Sequence, residues 1–293
     1  VERPDGSRVR HHLDVGENPP NGAIVYYWLP EGTEGAVQLT IRNAAGEVVA
    51  NFVSDDSSAP FAKRPGAKPG LNRFVWDLKV AGPEKLDPAL SPRKLKPLAG
   101  DGEPPAGPTV VPGAYEVTLE VGTASLTAGF TVVPDPRVRT TEADFAAQFN
   151  LLRSLSTALS TLNQGVNRIR RLKRQLDLLP ERLGDGQEAI GERASEIADS
   201  LSAIEGALVD VKRESPRDVL RNPAGLDDTL VDLINVASTA DAAPTTQAHA
   251  VSAEIIGKVR EQIAALDHLV DGELAALNTG LAEAGIKAVD VTA

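Results

Sequence analysis

Two different spacings of apolar residues divide this chain. In the first half, short segments alternate apolar and polar residues and are separated by clusters of Gly, Pro and Asn, which is typical of β-strands. In the second half, Leu, Ile and Val recur every three or four residues over long stretches, which is typical of amphipathic α-helices. The pattern predicts an α+β protein of two separate domains, a β-domain over residues 23–136 and a helical domain over residues 140–293.

The β-domain contains about six or seven predicted strands, which fits an immunoglobulin-like β-sandwich. Their ranges are Ala23 to Leu29, Val37 to Ile41, Glu47 to Val53, Arg73 to Leu78, Tyr115 to Val121 and Leu126 to Val132. We expect Trp76 at the centre of the core. We also expect the Tyr115 hydroxyl to hold the start of a late strand as a tyrosine corner. Residues 1–22 show no strand pattern and are interpreted as a leader or linker.

A Pro-rich insertion over residues 79–112 interrupts this domain and holds eight of the 21 prolines of the chain. Proline removes a backbone donor and fixes φ, so neither a helix nor a central strand is predicted there. Three interpretations remain open: an arm packed against another domain, a mobile loop, or a loop that contacts a ligand.

The helical domain is predicted to be an antiparallel bundle with helices over about 141–179, 187–213, 225–238 and 245–284. Thr141 and Asp144 have the spacing of a capping box at the first helix start. In the second helix, apolar residues from Ile190 to Val211 follow a 4-3 spacing, which favours packing against a near-antiparallel neighbour. No ionisable residue is placed on the inward face, so the bundle is interpreted as a scaffold.

Composition excludes several classes of function. The net charge is -11, with a pI near 4.9, which argues against general nucleic-acid binding. The chain has no Cys, so disulfides, thiolate metal sites and cysteine nucleophiles are excluded. No apolar run approaches the roughly 20 residues of a membrane-spanning helix. The chain also has no Met, and from this we expect Val1 to lie inside a longer polypeptide.

Four groups of titratable residues are candidate sites, and each is interpreted as structural. They are His11 and His12 with Asp14, His249 and His268, Asp55 and Asp56, and Asp227 and Asp228. Acid–base catalysis needs two carboxyls that face each other across a cleft, which sequence neighbours do not provide. Nucleophile, zinc-protease and nucleotide-binding motifs are absent from the sequence. The sequence therefore assigns no catalytic residue, no cofactor-binding residue, no metal ligand and no cofactor.

One basic cluster lies within the first predicted helix. It consists of Arg168, Arg170, Arg171, Lys173 and Arg174. We interpret it as a solvated face that pairs with acidic neighbours, namely Glu192, Glu196 and Asp199. A docking patch for an acidic partner is the alternative, and nucleic acid is a third.

The aromatic run Tyr26-Tyr27-Trp28 lies in the first predicted strand. Aromatic rings can stack on sugar rings, but at least one of three consecutive strand residues must face inward. Core packing or an interdomain contact is the favoured interpretation.

Several segments together resemble a known family. They are Glu17 to Ala23 with Tyr26-Tyr27, Gly70 to Leu78, Pro112 to Val117, Asp241 to Thr245 and Leu274 to Asn278. Their order is similar to the C-terminal region of bacterial secreted proteins with a sortilin-like β-propeller (VPS10 type, BNR repeats), often labelled glycosyl hydrolases. The similarity spans most of the chain. Gly70 to Asp77 and Pro112 to Tyr115 also resemble the FlgD-type immunoglobulin-like fold.

The resemblance implies a propeller that precedes an immunoglobulin-like module and a helical tail. It also implies a bacterial protein that is secreted, periplasmic or at the cell surface. Any active site of the family lies mainly on the propeller, so no catalytic residue transfers to this chain.

Three functions follow as hypotheses. The leading one is a non-catalytic accessory region that packs on the propeller of the same protein and mediates assembly, partner binding or self-association through the bundle. The second is a part of a secreted glycoside hydrolase that contributes residues 79–112 to its cleft. The third is a carbohydrate-binding module.

Overall fold

The computed structural model describes residues 16, 18–91, 105–212 and 224–291. Within these residues the chain forms two compact units. One contains residues up to Ala81 together with Gly107–Phe149, and the other contains Gly82–Ala106 together with Asn150 onwards. The sheets lie in the first unit and nearly all of the helical residues in the second, so the predicted α+β class is confirmed. Most of the predicted leader, residues 1–22, lies outside the described residues.

Six strands form two antiparallel sheets. They are β1 (Ala23–Leu29), β2 (Val37–Asn43), β3 (Val48–Val53), β4 (Gly70–Trp76), β5 (Gly113–Val121) and β6 (Ala124–Val132). One sheet consists of β1 and β4, and the other has the order β3-β2-β5-β6. Both sheets contribute to one cluster of buried side chains: Tyr27, Leu29, Phe74 and Trp76 from the first, and Val37, Leu39, Ile41, Tyr115 and Val117 from the second.

Trp76 lies at the centre of this cluster, as the sequence predicts, and is fully buried. Its ring packs edge-on against the rings of Tyr115 and Phe130, with centroids 6.0 and 6.2 Å apart. Its indole N–H donates to the Lys79 carbonyl at 3.0 Å, which satisfies its polar group. The Tyr115 hydroxyl donates to the Val111 carbonyl at 2.7 Å, the contact expected of a tyrosine corner.

The helices are α1 (Glu142–Asp177), α2 (Glu188–Leu208), α3 (Leu226–Ala237), α4 (Thr246–Leu269) and α5 (Ala275–Glu283). A π-helical segment, Val270–Leu274, joins α4 to α5, where the sequence predicts one continuous α-helix. In the predicted capping box, the Asp144 N–H donates to Thr141 Oγ1 at 3.2 Å, and the Thr141 N–H donates to Asp144 Oδ2 at 3.1 Å. The second helix is shorter than predicted, because Val209 is extended, with φ -135.

The helices share an apolar core. Its fully buried members include Leu155, Leu162, Ile169, Leu172, Ile197, Leu201, Leu208 and Leu230. Burial of each such side chain stabilises the fold by about 1.5–3 kcal/mol. In the described residues, no helix combines the length and the apolar character that a membrane crossing requires.

Within this unit α1 and α4 run parallel, because their contacts pair residue numbers that rise together. A Cβ on Gly165 would collide with the Ile263 side chain, and further along both helices Arg168 binds Asp267. At Gly165 the end of the Ile263 side chain lies against the backbone of α1.

Candidate functional site

The outward side of the β1–β4 sheet exposes a group of large apolar side chains. We call this surface the outer face and define it by Ile24, Tyr26 and Trp28 of β1 with Leu71, Arg73 and Val75 of β4. The strand register places these residues in three cross-strand pairs: Ile24 with Val75, Tyr26 with Arg73, and Trp28 with Leu71. An apolar surface of this kind is a common mark of a binding site.

Exposure separates the three consecutive aromatic residues of β1. Tyr26 is 59% exposed and Trp28 is 68% exposed, whereas Tyr27 between them is 7% exposed. Successive strand residues point to opposite sides, so one residue of the run faces the core and two face outward. The sequence prediction that at least one ring faces inward is confirmed, and that residue is Tyr27.

Tyr27 anchors β1 from the inside. Its hydroxyl donates to the Gly66 carbonyl at 2.6 Å, and burial raises the pKa of Tyr27 to about 12. This bond ties β1 to the loop that precedes β4. The two exposed rings therefore stand on a strand whose opposite side is held in the core.

The loop before β4 is held by the buried side chain of Asn72. Its amide donates to the Lys68 carbonyl at 2.8 Å and to the Gly70 carbonyl at 3.1 Å. Gly70 has φ 97, a conformation that favours glycine, and a Cβ there would lie 4.0 Å from the tip of the Trp28 ring. The indole ring therefore lies next to the backbone at Gly70.

The spacing of the two exposed rings sets what the outer face can bind. Tyr26 and Trp28 are two residues apart on one side of a strand, so their Cα atoms are about 7 Å apart. Rings at this spacing present two flat apolar surfaces with a phenol hydroxyl and an indole N–H at their edges. Opposite Tyr26, Arg73 adds a cationic hydrogen-bond donor. The outer face can bury apolar or ring-shaped ligands, but it holds no nucleophile and no carboxylate.

A second region of interest is the described beginning of the Pro-rich insertion, residues 82–91, which belongs to the helical unit. We call it the arm. Two asparagine side chains of α1 hold its backbone. The Asn163 amide donates to the Glu84 carbonyl at 2.6 Å, and Asn167 both donates to the Lys85 carbonyl at 3.1 Å and accepts from the Asp87 N–H at 2.9 Å. This arrangement is the one expected of a packed arm, the first of the three interpretations of this segment.

Four of the five cations of the basic cluster on α1 bind partners other than those predicted. Arg170 and Lys173 both bind Glu205 of α2, at 2.7 and 3.1 Å, and Arg168 binds Asp267 of α4 at 2.9 Å. Arg174 donates to the Ala89 carbonyl of the arm. The predicted pairing with Glu192, Glu196 and Asp199 does not appear among these contacts. The cations instead join α1 to two other helices and to the arm.

Glu205 also corrects the interpretation that no ionisable residue faces inward. Its side chain is 4% exposed, and that of Arg170 is 11% exposed. The 4-3 spacing assigns Ile204 to the inward face of α2, but Glu205 is buried and Ile204 is only partly buried. An α-helix has 3.6 residues per turn, so positions that repeat every 3.5 residues move gradually around the helix and away from its buried side.

The remaining candidate pairs do not form sites in the described residues. His249 and His268 are both exposed on α4. Asp56 Oδ1 accepts hydrogen bonds from the N–H and the hydroxyl of Ser58, and these bonds lower the pKa of Asp56. Asp227 and Asp228 lie in the first turn of α3, where negative charge is favourable. His11, His12 and Asp14 lie outside the described residues.

In the described parts of both units, no group of three His, Cys, Asp or Glu residues could hold a metal ion. Two open grooves run between α1 and α4. One is lined by residues that include Arg153, Thr157 and Arg260, and the other includes the Arg168–Asp267 pair. Neither groove contains two facing carboxyls.

Comparison with known proteins adds no relative to this picture. No protein-family model, no curated protein and no solved structure matches the chain. The outer face and the contacts of the basic cluster therefore provide the basis for a functional proposal.

Proposed function

We propose that this chain is a non-catalytic interaction region that binds a partner through the outer face of β1–β4. In this proposal the first unit is an immunoglobulin-like sandwich of the FlgD type, and the second is a helical bundle that is antiparallel apart from the parallel pair α1 and α4. Both belong to a larger secreted or cell-surface protein of the sortilin-like propeller type, and the partner is the propeller of the same polypeptide.

The exposure of Trp28 and Leu71 is the observation that supports the proposal most directly. Both side chains are 68% exposed although the strands that hold them are anchored in the core. When a partner removes such apolar side chains from water, the transfer free energy favours the bound state by about 25 cal/mol per Å² of apolar surface. Aromatic residues and arginine are also the residue types that contribute most to binding at protein interfaces.

The architecture gives further support to the immunoglobulin-like assignment. Two antiparallel sheets share one core, Trp76 lies at its centre, and Tyr115 makes a corner-type hydrogen bond. The β-domain resembles the C-terminal module of the propeller family through Gly70 to Leu78, which is the β4 region, and through Pro112 to Val117 at the start of β5.

The test uses the intrinsic fluorescence of the chain, which has two tryptophans. Trp76 is fully buried and Trp28 is exposed, so quenching by acrylamide reports mainly on Trp28. Addition of the separately produced propeller of the same polypeptide should protect Trp28 from the quencher and form a stable complex.

Matched variants give this test its specificity. Leu71→Ala should weaken the complex at least about tenfold, which corresponds to about 1.4 kcal/mol. Val236→Ala, at an equally exposed position of α3, should leave it unchanged. A complex that forms without protection of Trp28, or that responds equally to both substitutions, would contradict the proposal.

Carbohydrate binding is the second candidate, because Tyr26 and Trp28 are both exposed on the same side of β1. The apolar face of a sugar ring can lie flat on an aromatic ring, and Arg73 can donate to its hydroxyls. A glycan array probed with the chain would detect this activity. Loss of the signal in Trp28→Ala, with retention in Val236→Ala, would favour the second candidate over the first.

A further inference from the structure

Within the described residues, strand β6 is a free edge without the usual protection. It lies at the end of the sheet order β3-β2-β5-β6, and in the described residues it pairs only with β5. No Asp, Glu, Lys or Arg occurs between Val121 and Pro134. The nine pairs with β5 run without a register shift, so no bulge bends the edge away. Natural proteins normally block such edges with charges, prolines or bulges.

The hairpin geometry shows which backbone groups of β6 are available. Val121 and Ala124 close the two-residue loop Gly122-Thr123 and form a hydrogen-bonded pair in such a hairpin. The even-numbered residues of β6 therefore bond to β5, and the odd-numbered ones, from Ser125 to Thr131, direct their N–H and C=O groups to the free edge. Thr118 and Thr127 form a non-hydrogen-bonded pair in this assignment, and side chains approach more closely in such pairs. The 3.0 Å distance between their hydroxyl oxygens agrees with the assignment.

The core-facing side of β6 is also incompletely covered. Leu39, Leu119 and Leu126 lie side by side on β2, β5 and β6, on the side that faces the shared core. Leu39 is fully buried, Leu119 is partly buried and Leu126 is 70% exposed. The opposing sheet has two strands against four, and Leu126 remains uncovered. An additional strand beside β6 would extend the sheet next to this leucine.

We propose that β6 pairs antiparallel with β6 of a second copy of this chain, on a two-fold axis through Ala128. This register pairs all nine residues of Ala124–Val132 and joins the odd-numbered residues of the two strands by hydrogen bonds. It places Leu126 opposite Phe130 of the partner copy, Ser125 opposite Thr131, and Ala128 opposite itself. Aliphatic–aromatic and hydroxyl–hydroxyl pairs are favourable cross-strand pairs.

The absence of charged residues along β6 removes the main obstacle to a second copy as the occupant. Two chains of net charge -11 repel each other, so they can meet closely only where carboxylates are absent. The nearest acidic residues in this sheet are Glu116 and Glu120 of β5. In the paired sheet, β5 of one copy lies three strand spacings, about 14 Å, from β5 of the other. That distance exceeds the Debye length of about 8 Å at physiological salt.

The first test is the oligomeric state of the full chain over a concentration series, by sedimentation equilibrium. A single strand pair is a small interface, so we expect a reversible dimer with a dissociation constant of about 1–100 µM. Ala128→Lys and Ala128→Glu each place like charges opposite each other on the two-fold axis, and each should weaken the dimer at least about tenfold. An equimolar mixture of the two variants should form a heterodimer, which a misfolded variant could not do.

The second test uses the absence of native cysteine. Ala128→Cys should form a disulfide-linked dimer on mild oxidation, because Ala128 and its copy form a non-hydrogen-bonded pair, whose Cα atoms lie about 4.5 Å apart, within the range that a disulfide spans. Ser125→Cys is the matched control on the same strand. Its two copies lie about 20 Å apart, so it should remain unlinked.

Three results would overturn the proposal. The first is a wild-type chain that remains monomeric up to about 500 µM, a concentration about fivefold above the weakest expected dissociation constant. The second is dimerisation of the single charged variants that is as strong as that of the wild type. The third is equal cross-linking of Ala128→Cys and Ser125→Cys. A monomeric wild type would indicate that the edge of β6 pairs with a strand from a different protein and not with a second copy.

Discussion

The two units differ in whether they group large apolar residues on an exposed face or bury a charged side chain. The sheet unit leaves Tyr26, Trp28 and Leu71 exposed on an ordered face, whereas the helical unit buries Glu205 and Asn163 among its helices. Exposed apolar residues contribute little to folding but can be buried by a partner. Buried polar groups must be fully paired, and they favour the one arrangement of elements that pairs them. The difference indicates that the sheet unit is built for contact and the helical unit for a fixed internal arrangement.

The largest expected effect is the loss of the buried carboxylate. Glu205→Ala should destabilise the helices by about 3–5 kcal/mol, because Arg170 loses its partner in a nearly water-free position. Circular dichroism during chemical denaturation measures this change. Glu196→Ala, at an exposed position of the same helix, should change stability by no more than about 0.5 kcal/mol. Equal effects at the two positions would contradict a structural role for the buried ion pairs.

A triple variant separates the charge from the packing. Arg170→Met, Lys173→Met and Glu205→Leu together replace the ionic group by apolar side chains of similar size. The triple variant should recover most of the stability lost in Glu205→Ala, because no buried charge remains unpaired.

The second largest effect concerns the arm. Asn167→Leu removes the hydrogen bonds to the backbone of Lys85 and Asp87 and should cost about 1–3 kcal/mol. The arm should then open more often, so tryptic cleavage after Lys85 should accelerate. Asn150→Leu changes an exposed residue of the same helix and serves as the control. Unchanged cleavage in Asn167→Leu would show that other contacts hold the arm.

The third effect depends on pH. Burial raises the pKa of Tyr27 to about 12, whereas an unfolded tyrosine titrates near 10. The neutral phenol therefore contributes stability that is fully present below pH 10 and is lost as the pH rises towards about 12. Tyr27→Phe should remove this alkaline loss and cost about 1 kcal/mol at neutral pH through the missing bond to Gly66. Denaturation midpoints at several pH values measure both changes, and Tyr26→Phe is the matched control.

The smallest effect is expected on the outer face. Trp28→Ala should change the free energy of unfolding by no more than about 0.5 kcal/mol, because the ring is already largely in water. Leu29 is the next residue and is buried, so Leu29→Ala should lower the free energy of unfolding by about 2–5 kcal/mol. A large loss of stability in Trp28→Ala would mean that the outer face is part of the folding core and would weaken the case for partner binding.

The sequence predicts the elements of both units well because their apolar periodicity is strong. The alternation of Val37, Leu39 and Ile41 identifies β2, and all three side chains are fully buried. The capping box at Thr141 and Asp144 locates the start of α1 to within one residue. Local patterns of this kind depend only on neighbouring residues.

Contacts between distant segments were predicted less well. Arg168 binds Asp267, 99 positions away, and Arg170 binds Glu205, 35 positions away. Which partner each cation reaches depends on how each helix is rotated about its axis. The heptad pattern of α2 placed Ile204 against the core, where it is partly buried, but it missed the more deeply buried Glu205. The sequence shows that Tyr27 points to the side opposite Tyr26 and Trp28. It does not show which of the two sides faces the core, because alternation alone does not determine this.

The π-helical segment Val270–Leu274 determines how the last helix can tolerate changes in its length. A π turn contains about one residue more than an α turn, so it takes up a single extra residue without altering the helix on either side. Before it, Val259 and Leu266 are buried, and after it Leu277 and Leu281 are buried on the same core. Deletion of Gly272 would permit a continuous α-helix that keeps Leu277 and Leu281 on the same side as Val259 and Leu266, whereas α geometry in this segment without a deletion would rotate them by about 100°. The π turn therefore lets the helix carry one additional residue while its two packing surfaces stay aligned on one core.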